Sequence, residues 1–190
     1  MTTLTLIRHG NTAWNTERRA QGCADIPLDE TGILQGKKLA ERLSSDKWHT
    51  IYSSDLLRAK QTAELISERL DSIDILYDPR LREVNGGLIE GTTEAERIAK
   101  WGPDWRSLDL GLEETEKATE RGLSATQDIL RLHAGKNILV ISHGAIITYL
   151  LKEWLPSADW EAPMLNTSVT KLVCNDKGWK CLLFNCTAHL

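Results

Sequence analysis

The chain has 190 residues and a formal net charge of −4, with 41% hydrophobic and 26% charged residues. This length is sufficient for one well-buried domain, and the composition is that of a globular protein. Basic and acidic residues are interspersed without a long basic stripe, which argues against nucleic acid as a partner. There is no apolar run of about 18 residues to predict a membrane span. The start of the chain lacks the basic and apolar regions of a signal peptide, so we expect a cytoplasmic protein without a membrane partner.

The four cysteines form no Cys-x-x-Cys pair, and no histidines lie at the spacing of a zinc site. We therefore expect free thiols in a reducing compartment. They are Cys23, Cys174, Cys181 and Cys186.

A β-branched and leucine-rich run, Thr3 to Ile7, predicts a short buried strand at the beginning of the chain. Arg8-His9-Gly10 follows it, and Gly10 permits a sharp turn at the end of the strand. The polar stretch from Asn11 to Glu30 has no clear period, which is typical of a functional loop in a compact domain.

Hydrophobic periodicity predicts four further elements in the first half of the chain. They are a helix from Thr31 to Ser44 with Ile33, Leu39, Ala40 and Leu43 on its buried face, a strand around Ile51-Tyr52, a helix to about Leu70 with Ala59, Ala63, Ile66 and Leu70 buried, and a strand from Ile73 to Tyr77. Ser53-Ser54-Asp55 are good N-cap residues for the second helix.

Arg58 is predicted in the first turn of that second helix. A cation there opposes the helix dipole, so its presence calls for an anionic partner. An exposed surface arginine is an equally good interpretation at this point.

A glycine-rich turn, Asn85-Gly86-Gly87, comes shortly after Glu83. Thr93 and Glu96 form a capping-box pattern, which predicts a short helix that ends near Trp101. The segment around it, residues 87–112, has weak periodicity. We expect this segment to be an insertion that folds over the site as a lid.

The remaining elements predict a three-layer α/β/α fold with a mostly parallel sheet and an antiparallel C-terminal hairpin, in a single domain over residues 1–190. They are a helix from Glu114 to His133 with Ala118, Gly122, Ala125, Ile129 and Leu132 on one face, a strand from Asn137 to Ile141, a helix from Ala145 to Trp154, and two strands, Val169 to Cys174 and Trp179 to Asn185.

Two of the predicted strands end in the same way, with a polar residue, a histidine and a glycine. The two sequences are Leu6-Ile7-Arg8-His9-Gly10 and Val140-Ile141-Ser142-His143-Gly144. Because the carboxyl ends of parallel strands lie at one edge of a sheet, His9 and His143 should come together there. Arg8 belongs to the first strand end, and Arg58 follows the end of a third strand.

A cluster of two imidazoles and two guanidiniums fits an oxyanion better than a metal. Zinc usually takes three protein ligands, and adjacent arginines would repel it. Arginine presents a planar fork that matches phosphate, and nearby positive charge lowers the pKa of a histidine, which keeps His9 neutral and nucleophilic. A single histidine of this kind is more often structural, and only the occurrence of two at matching strand ends favours a functional site.

Expelling an alkoxide from a phosphate monoester requires a proton donor. Three carboxyl groups lie on suitable loops, those of Asp25, Asp55 and Glu83. Glu83 is the best candidate because the turn after it lets it face the sheet edge. The alternative is that Glu83 forms a salt bridge with Arg80 or Arg82.

With these residues the chain resembles the histidine phosphatase superfamily, in the branch that contains cofactor-dependent phosphoglycerate mutases and small broad-specificity phosphatases. The resemblance covers most of the chain, and its combination of motifs is highly specific. The motifs are Arg8-His9-Gly10, Asn15, Gln21-Gly22, Arg58, Arg82-Glu83 and His143-Gly144.

The resemblance implies that His9 is the nucleophile and becomes a phosphohistidine. It implies that Arg8, Arg58 and His143 bind the transferring phosphoryl group. Glu83 would protonate the leaving oxygen and then activate water. The resemblance also implies that no metal or other cofactor is needed. The pocket would be lined by Asn15, Gln21, Gly22 and Gly144.

The chain departs from the family pattern in three places. Asn11 stands where many members have Glu, and residues 85–91 lack the aromatic residue and tryptophan that often precede Glu-Gly. The arginine-rich, tyrosine-bearing insertion of the mutases is also missing. We therefore predict hydrolysis of a small phosphorylated metabolite, with phosphoglycerate mutase activity as the alternative and a non-catalytic phospho-ligand-binding module third. Trp101 and Trp105 either contact the leaving group or pack the lid.

Overall fold

The computed structural model describes residues 1–190. Its strands form one six-stranded sheet in the spatial order β3-β2-β4-β1-β5-β6. The strands are β1 (Thr2–Arg8), β2 (Thr50–Ser53), β3 (Ile75–Tyr77), β4 (Asn137–Ser142), β5 (Val169–Asn175) and β6 (Gly178–Cys186). The helices are α1 (Ala13–Thr16), α2 (Glu30–Leu43), α3 (Leu57–Arg69), α4 (Glu94–Trp101), α5 (Thr115–Leu132) and α6 (Gly144–Trp154).

The first four strands of the sheet in sequence order are parallel, and the last two are antiparallel. β1 pairs in parallel with β4, β4 with β2, and β2 with β3. β5 runs antiparallel to β1 and forms a hairpin with β6. This sheet confirms the predicted mostly parallel architecture and its C-terminal hairpin.

Both faces of the sheet are buried, and the side chains of each central strand alternate between two cores. On one face, Leu4 and Leu6 of β1 pack in a core with α5 and α6. On the other face, Ile7 packs in a core with α2 and α3. The two cores give the three layers of the fold.

Two helices bury different residues from those that their hydrophobic pattern predicts. Ile33 of α2 is 38% exposed and Leu132 of α5 is 63% exposed, so both expectations were wrong. In α2 the buried face includes Gly32 and Gly36 instead. Small residues allow close backbone approach, which a pattern of large apolar residues does not reveal.

Three local expectations also need correction. The polar stretch after β1 contains a short helix, α1, because Thr12 and Asn15 form a capping box. The N-cap of α3 is Leu56, whose side chain makes no capping hydrogen bond. The third strand begins at Ile75 rather than at Ile73.

The segment of residues 87–112 contains α4 and two single turns of 3₁₀ helix. It contacts the loop before α2: the Ala20 and Gly91 backbones are 2.8 Å apart in an N–H···O bond. Trp105 is buried in this segment, where the guanidiniums of Arg97 and Arg106 lie over its ring. Trp105 thus packs within the segment itself, which agrees with the interpretation that it packs the lid and not with the one that it contacts the leaving group.

All four cysteines are free thiols, as predicted. No helix of the protein combines the length and the apolar character that crossing a membrane would require.

Candidate active site

The two matching strand ends lie side by side. Arg8 of β1 is in register with Ser142 of β4, so the residues after them, His9 and His143, are neighbours. The backbone N–H of His9 donates to the Ser142 carbonyl at 3.0 Å, and the centroids of the two imidazole rings are 5.1 Å apart.

His9 is held in one orientation with one ring nitrogen available. The side chain is only 3% exposed, and its Nδ1 lies 2.7 Å from the Gly10 carbonyl oxygen. A carbonyl can only accept, so Nδ1 carries the proton and Nε2 keeps its lone pair. Burial, and then the charges of Arg58 and Arg8, hold the pKa of His9 well below its ordinary value. The imidazole is therefore neutral and nucleophilic at neutral pH.

Arg58 lies directly beside this nitrogen. Its Nε donates to Nε2 of His9 at 3.2 Å, while its two terminal nitrogens donate to the carbonyls of Ala24 and Gly22, each at 2.7 Å. The residue is 0% exposed, so the interpretation as a surface arginine is wrong. Burial lowers its pKa to about 10, which leaves it cationic at neutral pH.

Arg8 and His143 each bring an uncommitted nitrogen to the same place. Arg8 donates from Nη1 to the Met164 carbonyl at 2.6 Å, but its Nε is buried without a partner. Nε2 of His143 lies 2.8 Å from the Ser54 hydroxyl, and its Nδ1 is likewise buried without a partner. Buried polar atoms are normally hydrogen-bonded, so these two donors indicate a site for an acceptor such as a phosphate oxygen.

Glu83 lies at the amino end of α6. Its carboxylate accepts from the backbone N–H groups of Val84, Ala145 and Ile146 at 3.0, 3.2 and 3.3 Å. The positive end of the helix dipole favours a carboxylate there. Because α6 begins immediately after His143, this position also brings Glu83 to the histidine pair.

The alternative ion pairs of Glu83 do not form. Arg82 pairs instead with Asp55, and Arg80 pairs with Asp78 and Asp128. The other carboxyl candidates are occupied elsewhere, since Asp55 holds Arg82 and Asp25 accepts from the Leu57 backbone at the start of α3.

Two of the expected lining residues, Gly22 and Gly144, border the arginines of the cluster. Asn15 Oδ1 accepts from the Thr12 backbone at 3.1 Å, and Gln21 Oε1 is buried without a partner. Gly22 has a φ of +49° and supplies a carbonyl to Arg58. A Cβ at Gly144 would lie 3.6 Å from Arg8 Nε, so Gly144 directly borders this nitrogen.

Sequence analysis missed several residues that hold the cluster in place. Asn166, in the loop before β5, donates to the His9 carbonyl at 3.0 Å, and Thr167 N–H donates to the Arg8 carbonyl at 3.0 Å. Nothing in the local pattern of that loop marks these residues. Ser54 was recognised only as a capping residue, although its position at the end of β2 places it at the same sheet edge.

The donor set at this edge is suited to an anion. The guanidinium of Arg58 donates to Nε2 of His9, the guanidinium of Arg8 and the imidazole of His143 lie at the same sheet edge, and arginine can bind two phosphate oxygens at once. No group of three or more His, Cys, Asp or Glu side chains is arranged to hold a metal ion.

Comparisons with known proteins agree with this geometry. Residues 4–187 match the family model described as the histidine phosphatase superfamily, branch 1. A phosphoglycerate mutase-like protein 4 from Arabidopsis thaliana is 35% identical over 98% of this chain and 86% of its own length. The structure of Bacillus stearothermophilus YhfR is 33% identical, with a TM-score of 0.89 over 100% of this chain and 99% of the other. A mutant phosphoserine phosphatase from Entamoeba histolytica, in complex with phosphoserine, is 28% identical with a TM-score of 0.84 over the whole of both chains.

Proposed function

Because the chain belongs to branch 1 of the histidine phosphatase superfamily, we propose that it hydrolyses small phosphate monoesters through a phosphohistidine at His9, without a metal ion. The observation that carries the proposal is the buried, neutral His9, whose Nε2 accepts from Arg58 at the sheet edge where Arg8 and His143 each have a buried nitrogen without a partner. The similarity to a phosphoserine phosphatase supports a small phosphorylated metabolite as the substrate class.

In the first step, Nε2 of His9 attacks phosphorus, and the bond to the ester oxygen breaks. Arg8, Arg58 and His143 bind the three non-bridging oxygens as negative charge shifts among them. A single preorganised donor of this kind is worth roughly 10²–10³ in rate. Glu83 donates a proton to the leaving oxygen, which leaves as an alcohol.

In the second step, the Glu83 carboxylate takes a proton from water, and the resulting hydroxide attacks the phosphohistidine. The P–N bond breaks, inorganic phosphate forms, and the electron pair returns to Nε2 of His9. Glu83 regains the proton that it lost in the first step, which completes the cycle. Asn15, Gln21, Gly22 and Gly144 line the pocket, and the segment of residues 87–112 covers the leaving group.

The covalent step is tested with His9→Ala. We expect the substitution to abolish turnover and to remove the phosphoenzyme that acid quenching traps in the wild type, as read by intact-protein mass spectrometry and phosphorus NMR. His49→Ala, which removes an exposed histidine, is the control and should keep both signals. Turnover retained by His9→Ala would contradict the proposal.

Phosphoglycerate mutase activity is the alternative, and the similarity to a mutase-like relative favours it. A phosphorus NMR time course on 3-phosphoglycerate, with a trace of bisphosphoglycerate and a chelator, separates the two. We expect inorganic phosphate to accumulate. Accumulation of 2-phosphoglycerate with little free phosphate would assign the mutase reaction instead.

A further inference from the structure

The segment that carries Glu83 has no regular structure of its own. A single 3₁₀ turn, Pro79–Leu81, precedes it and another, Gly87–Ile89, follows it, and the carbonyls of residues 80–83 accept no backbone hydrogen bond. Backbone carbonyls away from water need a partner. Side chains from two other elements supply it here.

Arg121, on α5, supplies most of these hydrogen bonds. Its Nη1 donates to the carbonyls of Arg80 and Arg82 at 2.8 and 2.7 Å, and its Nη2 donates to the Glu83 carbonyl at 2.9 Å. The remaining carbonyl, that of Leu81, accepts from the Ser142 hydroxyl at 2.8 Å. Arg121 and Ser142 thus bond all four consecutive carbonyls up to Glu83, and the Cys23 thiol adds a long contact of 3.5 Å to the last of them.

Glu113 completes the arrangement from the other side of Glu83. Its two oxygens accept from Nε and Nη2 of Arg121, both at 2.8 Å, and the second also accepts from the Asn85 backbone at 3.0 Å. The pair is largely buried, with side-chain exposures of 21% and 19%. All five N–H groups of Arg121 are used, so none is free to bind a ligand.

We propose that Arg121 is a positioning residue for proton transfer: through the carbonyls of residues 80–83 it holds the Glu83 carboxyl group at the amino end of α6. This inference rests on the proposed function, in which Glu83 is the proton donor. A planar, five-donor guanidinium can hold three carbonyls and a carboxylate at once, whereas the ammonium of lysine cannot. Displacement of a catalytic group by about 1 Å can cost on the order of 10²-fold in rate.

The test compares two leaving groups in Arg121→Lys. An alkyl phosphate needs protonation of its leaving oxygen, whereas p-nitrophenyl phosphate releases a stable phenolate without it. The ratio of kcat/KM for the alkyl ester to kcat/KM for the aryl ester therefore reports on the proton donor, because kcat/KM ends with release of the first leaving group. We expect Arg121→Lys to lower this ratio by roughly 10-fold to 10²-fold.

Arg131→Lys is the matched control on the same helix, since Arg131 is 77% exposed and pairs only with Asp128. Its ratio should equal that of the wild type. Glu113→Gln, which weakens the partner of Arg121, should lower the ratio in the same direction as Arg121→Lys but less. The thermal unfolding curve of each variant verifies that the variant is folded at the assay temperature.

The double variant Arg121→Lys/Glu83→Gln separates positioning from a general structural role. If Arg121 acts through Glu83, Arg121→Lys has little further effect once Glu83 is replaced. The ratio in the double variant should then equal the ratio in Glu83→Gln. Equal losses for both esters in Arg121→Lys, or a further fall of the ratio in the double variant, would overturn the proposal. A ratio that Glu83→Gln itself leaves unchanged would instead refute Glu83 as the proton donor, and a wild type inactive on both esters would refute the proposed function.

Discussion

At the scale of single residues, the site depends on which nitrogen of each histidine carries a proton. The Gly10 carbonyl fixes this for His9, because a carbonyl can only accept. Ser54 Oγ accepts from the Leu56 N–H at 3.3 Å and lies 2.8 Å from Nε2 of His143, and we expect its own hydrogen to be donated to that nitrogen. With Nε2 accepting, Nδ1 of His143 carries the proton and can donate to phosphate.

Ser54→Ala should therefore weaken phosphate binding without removing the nucleophile. One lost hydrogen bond of about 1.4 kcal/mol corresponds to a 10-fold change, so we expect kcat/KM to fall and the inhibition constant of inorganic phosphate to rise by about 10-fold. Ser53→Ala is the control, because the Ser53 hydroxyl donates to the Ser54 carbonyl and not to His143. The same loss in both variants would refute the tautomer argument.

At the scale of elements, the site depends on how closely α2 approaches the turn after β1. A Cβ at Gly10 would lie 2.8 Å from the Gly32 carbonyl oxygen, and a Cβ at Gly32 would lie 2.1 Å from the Asn11 carbonyl oxygen. These contacts are between backbones, which cannot move aside as a side chain can. Both glycines are therefore required for the turn that carries His9.

Gly32→Ala tests this packing against a second helical glycine, Gly122. Alanine gains about 1 kcal/mol of helix propensity at either site, but overpacking against backbone costs about 3 kcal/mol, the upper end of its usual range, so we expect Gly32→Ala to lower the free energy of unfolding by about 2 kcal/mol. At Gly122 the nearest atom is a flexible Leu150 methyl at 3.3 Å, so Gly122→Ala should unfold at an equal or higher denaturant concentration. Equal stability of the two variants would contradict the close approach of α2.

At the scale of the whole molecule, stability is linked to pH through the buried histidines. Burial is the main reason that the pKa values of His9 and His143 lie well below the ordinary value. Burial also lowers the pKa of His133, and that of His189 to about 4. The unfolded chain therefore binds more protons than the folded protein once the pH falls below about 6.5.

The free energy of unfolding should consequently fall as the pH drops from about 6.5 towards 5.5. Each fully titrating histidine contributes a slope of about 1.4 kcal/mol per pH unit, and stability is regained as the pH rises again. Urea unfolding at a series of pH values measures this slope, and His143→Gln should reduce it by the share of one histidine. A free energy of unfolding that is constant over this range would contradict the buried, neutral state of both site histidines.

The sequence by itself determined the layered fold and the main residues that meet at the sheet edge. A continuous apolar run such as residues 138–141 marks a strand that is buried on both faces, and parallel pairing brings strand ends together. His9 and His143 could therefore be placed side by side from the pattern alone. Glycines that replace apolar residues on a helix face, such as Gly32, leave no such pattern, which is why the burial of Ile33 was predicted wrongly.

Only the tertiary structure decided the partners of the polar side chains. From the sequence, Arg58 fits either an anion site or the protein surface. Glu83 fits either a proton donor or a partner in an ion pair. Asn166 reaches the His9 carbonyl across 157 positions of chain, and Arg121 reaches Glu83 across 38. Hydrophobic periodicity indicates which face of a helix or strand is buried, but it does not identify the partner of an individual side chain. A hydrogen bond needs two groups within about 3 Å, and that distance is set by the packing of elements that are remote in sequence.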